Sequence, residues 1–389
     1  MTNRLLSALP TTIFEVMSGL ARQHNAVNLG QGFPDSEGVL EVRQAAAEAA
    51  LNGYNQYPPM AGLMDLREAL CGFYRRRQGL NIAPGNVLIT CGATEALAAT
   101  FLGLIEPGDE VVLFQPLYDS YAPMVRRAGG VPRFVTLGPP DYRFTEEMLE
   151  AVVSPRTKLI VFNNPHNPCA VVHDAAQSAL LARFCVRHDL IAVCDDVWEE
   201  VVFGDPAFQP LYSVDGMAER CVKIGSAGKI FALTGWKIGW TVAAEPLNRA
   251  IAKAHQFLTF TIAPPLQAAV AVGLNLDDAP LVEMLAGFRR SRDRLTEGLI
   301  AEGFKVAPSQ GTYFLNIDLP GSGVEMPDAD FAKLAVTQAG VATIPVSAFY
   351  DQDPVTRSLR LCYAKRDETL DRGVERMATA RKLAGRALR

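Results

Sequence analysis

Lysine is scarce in this chain of 389 residues: it stands at nine positions, 158, 223, 229, 237, 253, 305, 333, 365 and 382. Chemistry that needs a primary amine therefore has few candidates. A basic excess is also missing, since 37 lysines and arginines face 42 acidic residues for a formal charge of −5, and no nucleic-acid partner is expected. The seven cysteines, at 71, 91, 169, 185, 194, 221 and 362, are odd in number and contain no C-x-x-C pair, which argues for reduced thiols in a cytoplasmic protein. The five histidines approach no H-E-x-x-H or Cys/His cluster, so no metal site is expected. No apolar run reaches the roughly 18 residues of a membrane span, and the opening MTNRLLSALP is too short in apolar residues for a secretory signal.

Nucleotide motifs are missing too. No strand-to-helix turn carries G-x-G-x-x-G; Gly30-Gln31-Gly32 runs into Phe33-Pro34, which does not open a helix. A phosphate-binding P-loop is excluded because only two residues separate Gly225 and Gly228, and Ile230 rather than a hydroxyl follows Lys229. The hydrolase elbow G-x-S-x-G is absent.

What remains is a chain with 49% hydrophobic and 20% charged residues, long enough for two or three domains. Short Val/Ile/Leu runs at 86–90 (NVLIT), 110–114 (EVVLF), 158–162 (KLIVF), 190–194 (LIAVC), 221–224 and 237–243 read as strands. Helical stretches at 94–105, 118–128 and 173–188 separate them, so βαβ units and a mostly parallel sheet covered on both faces are expected. Beyond Pro264-Pro265, helical runs at 266–274 and 281–299 precede alternating runs at 311–317, 341–345 and 358–363, which read as an α+β layer. The reading is a large α/β domain over 40–285 and a smaller α+β domain built from both ends, 1–39 and 286–389.

Ligands of open parallel sheets bind beyond the carboxyl ends of the strands. Here those junctions read CGATEA (91–96), QPLYDSY (115–121), NNPHNP (163–168), DDVWEE (195–200) and GSAGKIFALTGWKIGW (225–240). They gather amides, a carboxylate, aromatics and two lysines, an inventory suited to a phosphorylated aromatic cofactor that carries a carbonyl.

These stretches, with NLGQGFPD (28–35), NQYPPMAGLMDLREAL (55–70) and SLRLCYAK (358–365), resemble in order and over nearly the whole chain the class I/II, fold-type-I pyridoxal-phosphate aminotransferases. The branch they are most similar to contains kynurenine aminotransferase, glutamine transaminase K and methionine aminotransferase. The resemblance implies a three-layer α/β/α large domain and pyridoxal 5′-phosphate as cofactor. It implies ping-pong transfer of an amino group from an L-amino acid to a 2-oxo acid. Lys229 matches the lysine that forms the Schiff base and shuttles the proton, and Asp195 the carboxylate that pairs with the pyridine nitrogen and keeps the ring an electron sink. Asn167 matches the partner of the phenolic oxygen and Tyr118 the ring stacked on the cofactor. For the phosphate, the resemblance offers Gly92, Ala93 and Thr94 at a helix start, with Ser226 and Lys237. Tyr57 matches a tyrosine that reaches the neighbouring subunit's phosphate, which implies a homodimer with shared sites. Arg360 matches the clamp on the substrate α-carboxylate, with Gly32 adding a backbone contact.

Two departures stand out. Asp196 and Trp198 occupy the positions of an acid and a tyrosine in the family's D-E-V-Y, and an indole donates one hydrogen bond but neither accepts nor ionises. Asp196 is expected to be no more than a helix cap, and Cys169 a small buried thiol. Phe14, Phe33, Phe260 and Thr261, the last two from the partner subunit, match positions that shape the side-chain pocket, although Phe33 and Phe260 read equally well as core residues. An aromatic-lined pocket favours neutral, sulfur-containing or aromatic amino acids. Two alternatives share these residues to different degrees: a β-lyase acting on cysteine conjugates or cystathionine with the same Lys229, and a non-catalytic ligand-sensing regulator. The second is disfavoured because the pattern begins by about residue 28 and leaves little chain before it for a DNA-binding domain.

Overall fold

The computed structural model describes residues 2–387. Its centre is a seven-stranded sheet built from β1 (Val87–Cys91), β2 (Glu110–Gln115), β3 (Val131–Thr136), β4 (Thr157–Asn163), β5 (Ile191–Asp195), β6 (Cys221–Ser226) and β7 (Ile238–Val242), in the order β1-β7-β6-β5-β4-β2-β3. Only β7 runs against its neighbours; the other pairings are parallel. The expected α/β class is therefore what the chain adopts. Successive residues of β2 feed opposite cores, Val111 and Leu113 packing with Leu97, Val112 and Phe114 with Leu181 and Phe184. This alternation explains why the strand is apolar throughout and why helices cover both faces.

Local chemistry sets the helix ends. The Asp174 side chain accepts from the Gln177 N–H and opens Ala175–Arg187, while Gly79, at φ +67°, closes Met64–Gln78 in the left-handed region. The helix Gly92–Leu104 starts directly at the end of β1, and Glu95 reaches back to accept the Cys91 N–H at 2.5 Å. The helix expected from 118 begins only at Tyr121, which leaves Tyr118 in the turn. Strand β3 escaped the sequence reading because Pro132 and its half-exposed residues do not resemble an interior strand; it is the sheet edge, where proline is tolerated.

A second, antiparallel sheet joins β8 (Lys305–Val306), β9 (Phe314–Asp318), β10 (Ile344–Pro345) and β11 (Ser358–Cys362) in the order β10-β11-β9-β8. The start of the chain is tied to this layer. Val27 pairs with Val341, and the Cys362 N–H donates to the Leu29 carbonyl at 2.7 Å. The segment that follows Leu29 is thereby laid beside β11 and over the carboxyl ends of the large sheet.

Candidate active site

The carboxyl ends of β1, β2, β4, β5 and β6 enclose a cavity of about 350 Å³. Its floor is Asp195, the last residue of β5. Tyr121 donates its hydroxyl proton to Asp195 Oδ2 at 2.5 Å, whereas Asp195 Oδ1 is buried with no partner. Burial pushes this carboxyl above its ordinary range, opposed by the Tyr121 bond and by the charge of Lys229. Asn163 braces the floor, its amide donating to the Asp195 carbonyl at 2.7 Å and its oxygen accepting the Asn167 N–H at 2.8 Å.

Lys229 sits in the one-turn helix Ala227–Ile230 that follows β6, and its amine donates to the Tyr313 hydroxyl at 3.1 Å. Trp198 lies beside it, with Nζ 4.7 Å from the indole centre. Burial pushes the Lys229 amine down to about 8, with Lys237 and Arg360 acting in the same direction and Cys362 and Asp195 opposing. A lysine in this range supplies neutral amine near neutral pH, as a nucleophile and base must.

Gly92, Ala93, Thr94, Ser226 and Lys237 meet at one end of the cavity. Gly92 has φ +67°, and a Cβ there would stand 3.2 Å from Lys237 Nζ, so the turn and the ammonium crowd one small space. The first-turn N–H groups of Gly92–Leu104 have no intrahelical partners, which suits this end to an anion. Opposite, Arg360 projects from β11. Nη1 donates to Asn167 Oδ1 at 2.8 Å and Nη2 to the Gly30 carbonyl at 3.2 Å, while Nε is buried without a partner. Its guanidinium stacks 3.9 Å from the Phe314 ring centre, and burial lowers its pKa to about 10. Phe14, Gly32, Phe33 and Tyr118 complete the wall.

Of the expected site residues, Tyr57 and Phe260 are not brought into this cavity. Both are exposed and touch each other, ring centres 5.8 Å apart. The alternative of Phe33 and Phe260 as core residues is incorrect, because each is 44% exposed. Asp196 is not a helix cap either: it is buried and accepts from Lys223 Nζ at 2.8 Å. Cys169 is the buried thiol expected of it. Tyr121, Asn163, Tyr313 and Phe314 of the site escaped the sequence reading. Tyr121 lies three positions after Tyr118 in PLYDSY, the spacing of one helical turn, and that signal could have found it.

Comparison with known proteins places this geometry in a class. The family model for aminotransferase class I and II matches residues 24–377, and the chain belongs to that family of pyridoxal-phosphate-dependent enzymes that transfer amino groups. A probable N-succinyldiaminopimelate aminotransferase, DapC, from Mycobacterium tuberculosis is 41% identical, over 97% of this chain and 98% of the relative. The methionine aminotransferase of Escherichia coli is 37% identical over 96% of both chains. Among solved structures, the N-succinyldiaminopimelate aminotransferase of M. tuberculosis superposes with a TM-score of 0.94, covering 98% of this chain and 100% of that one at 41% identity. YbdL of E. coli, identified as having a methionine aminotransferase function, has a TM-score of 0.94 at 36% identity, covering 97% and 99%.

The residues present fit the family's cofactor. The orphaned Oδ1 of Asp195 offers an acceptor to a protonated ring nitrogen, and the Gly92 turn with Ser226 and Lys237 offers donors to a phosphate. A hydrogen bond to a charged carboxylate contributes about 1.5–3 kcal/mol. Tyr121→Phe is therefore expected to weaken pyridoxal 5′-phosphate binding about tenfold or more. Fluorescence titration of the apoprotein checks this, and an unchanged affinity would remove Tyr121 from the site.

Proposed function

We propose that this aminotransferase acts on neutral, sulfur-containing or aromatic L-amino acids, passing the nitrogen to a 2-oxo acid in two half-reactions. The observation that carries this reading is the charge content of the cavity. Among the described residues that line it, Lys229, Lys237 and Arg360 are the cations, and the wall near Arg360 is Phe14, Phe33, Phe314 and Trp198. Among the described residues no second guanidinium lines this cavity, so a distal carboxylate finds no arginine partner there in this chain. The E. coli relative named for methionine supports the same substrate class.

Pyridoxal 5′-phosphate, when bound, supplies the carbonyl that takes the amino group and the ring that accepts electrons from the substrate Cα. The protein does the rest. Lys229 is the amine that would attach the cofactor and would move the Cα proton. Asp195 would keep the ring nitrogen protonated, with Tyr121 and Asn163 bracing the residue. Asn167 would donate to the cofactor's phenolic oxygen, Tyr118 would cover its ring, and Trp198 walls the cavity beside the lysine. Gly92, Ala93, Thr94, Ser226 and Lys237 would hold the phosphate, Lys237 as a point charge rather than a planar fork. Arg360 holds the substrate α-carboxylate in a two-bond contact, with Gly32 beside it.

The reading includes a homodimer. Tyr57, Phe260 and Thr261 would serve the neighbouring subunit's site, and support comes from an exposed aromatic surface in which Tyr54, Tyr57 and Phe257 are 67%, 79% and 83% accessible. It also includes two domains, 40–285 and the joined ends 1–39 with 286–389, and a cytoplasmic location in keeping with seven unpaired cysteines. No helix among the described residues is long and apolar enough to cross a membrane. The test is turnover across a panel of amino acids with a 2-oxo acid acceptor. Methionine, phenylalanine, kynurenine and glutamine are expected to exceed aspartate by about tenfold or more in kcat/KM. Pyruvate and ammonia release without any acceptor would instead favour a β-lyase, and preference for aspartate would overturn the substrate reading.

A further inference from the structure

We propose that Tyr313 is a positioning residue whose single hydroxyl links the Lys229 amine to the Gly32 backbone, so that the lysine and the N-terminal segment over the cavity are held in one register. The proposal rests on the reading of Lys229 as the cofactor-bearing amine and Gly32 as a substrate contact. Its own basis is geometric. The Tyr313 oxygen accepts from Lys229 Nζ at 3.1 Å and donates its proton to the Gly32 carbonyl at 2.5 Å. These two contacts join residues 84 and 281 positions from Tyr313.

The ring that carries this hydroxyl is fixed. Tyr313 is 1% exposed, with Trp198 edge-on at 4.4 Å between ring centres and Phe314 at 5.0 Å. Its carbonyl accepts the Tyr363 N–H at 3.0 Å. The Gly32 side is equally tight, since a Cβ on Gly32 would stand 2.7 Å from the Phe314 ring. A hydroxyl held in this way has one proton and two lone pairs. With the proton committed to Gly32, only lone pairs face Nζ, and the amine must donate. Burial keeps the phenol protonated, well above its ordinary value, so Tyr313 orients the amine and does not take its proton. Trp198, which packs edge-on against Tyr313 and also borders Nζ, presents a ring face and has no such lone pair. The oxygen that the family's tyrosine would bring to this neighbourhood from position 198 comes here from the turn before β9.

The test reads the amine directly. In the apoprotein, reductive methylation of Lys229 by formaldehyde and cyanoborohydride is followed across pH by peptide mass spectrometry. Asp195, Cys362, Lys237 and Arg360 also act on this amine and stay in place in every variant. Tyr313→Phe removes an acceptor that favours the protonated form, so the titration should move to lower pH and the rate near pH 7 should rise about threefold or more. In the holoenzyme the same variant should lose about tenfold in kcat and raise KM for the amino acid, because Gly32 loses its donor. A ring-fluorinated tyrosine at 313 keeps the shape and hydroxyl and covers the case in which Tyr313→Phe does not fold. It is a weaker acceptor, and a smaller shift in the same direction is expected. A Lys229 profile unchanged in either protein would overturn the proposal. Failure of the cofactor reading would show separately, as the attached cofactor's visible band persisting unshifted in Lys229→Ala.

Discussion

Lys223→Met is expected to cost the apoprotein about 3–5 kcal/mol of stability, the penalty for stranding buried carboxylates without their cation. Lys223 rises from β6 into a space with no exposure, where Nζ donates to Asp196 Oδ2 at 2.8 Å and Glu199 Oε2 at 2.6 Å. Glu199 in turn accepts from Tyr74 at 2.9 Å and Gln78 at 2.6 Å, and Trp240 donates to the Tyr74 hydroxyl at 2.8 Å. The cluster is closed, with two carboxylates on one ammonium, and burial with the neighbouring Glu199 charge already pushes Asp196 up to about 7 against the pull of Lys223. Removing the ammonium raises Asp196 further. A carboxyl whose folded pKa lies above its unfolded value stabilises the fold while protonated and loses that contribution as pH rises through the folded pKa. The variant should therefore fall further behind the wild type at pH 8 than at pH 6. Urea midpoints of the apoproteins at the two values check this. Adding Asp196→Asn to Lys223→Met should recover part of the loss, since one stranded charge is gone, and equal midpoints for Lys223→Met and the wild type would show that the cluster contributes nothing.

That cluster marks where sequence reading stops. Strands, helices and the residues just after each strand were legible because their signals are local: apolar runs, a helix start at Gly92, a lysine inside GSAGKIF. Cys221–Ser226 reads as an ordinary buried strand, and nothing next to Lys223 tells that its partners lie 27 and 24 residues upstream on the neighbouring strand end. Asp196 looked like a cap for the same reason, since a strand-end aspartate commonly is one. Tyr313 was invisible because both of its polar contacts are made across the fold. Trp198 was seen as a departure, but the residue that brings a hydroxyl to its neighbourhood could be found only in three dimensions. The outward placement of Tyr57 and Phe260 was legible only through the resemblance, which assigned them to a neighbouring subunit rather than to this cavity.

Lys229→Ala is expected to lower transamination by about three orders of magnitude or more, because in the proposed function one side chain would hold two roles, attachment of the cofactor and proton transfer at Cα. The structure separates these from folding. The Lys229 side chain makes one hydrogen bond, to Tyr313, and its alkyl stem lines a cavity rather than a packed core, so the variant should fold with a urea midpoint close to the wild type. The Gly92, Ser226 and Lys237 end of the cavity, Asp195 and Arg360 are untouched by the substitution. Pyridoxal 5′-phosphate should still bind, now without a covalent link, and the visible band of the attached cofactor should be replaced by that of the free aldehyde. Added small primary amines should restore part of the rate, since they can supply the base but not its position, and the restored rate should grow with amine concentration. The pH dependence carries a further sign. Burial holds the Lys229 amine down to about 8, so more of it is neutral near pH 7 than for a lysine in water. An amine in solution keeps its ordinary, higher pKa, and rescue should therefore climb steeply from pH 7 to pH 9. A Lys229→Ala protein that keeps wild-type turnover would move the chemistry to another lysine, and Lys237, 3.2 Å from where a Cβ on Gly92 would stand, would be the one to test next.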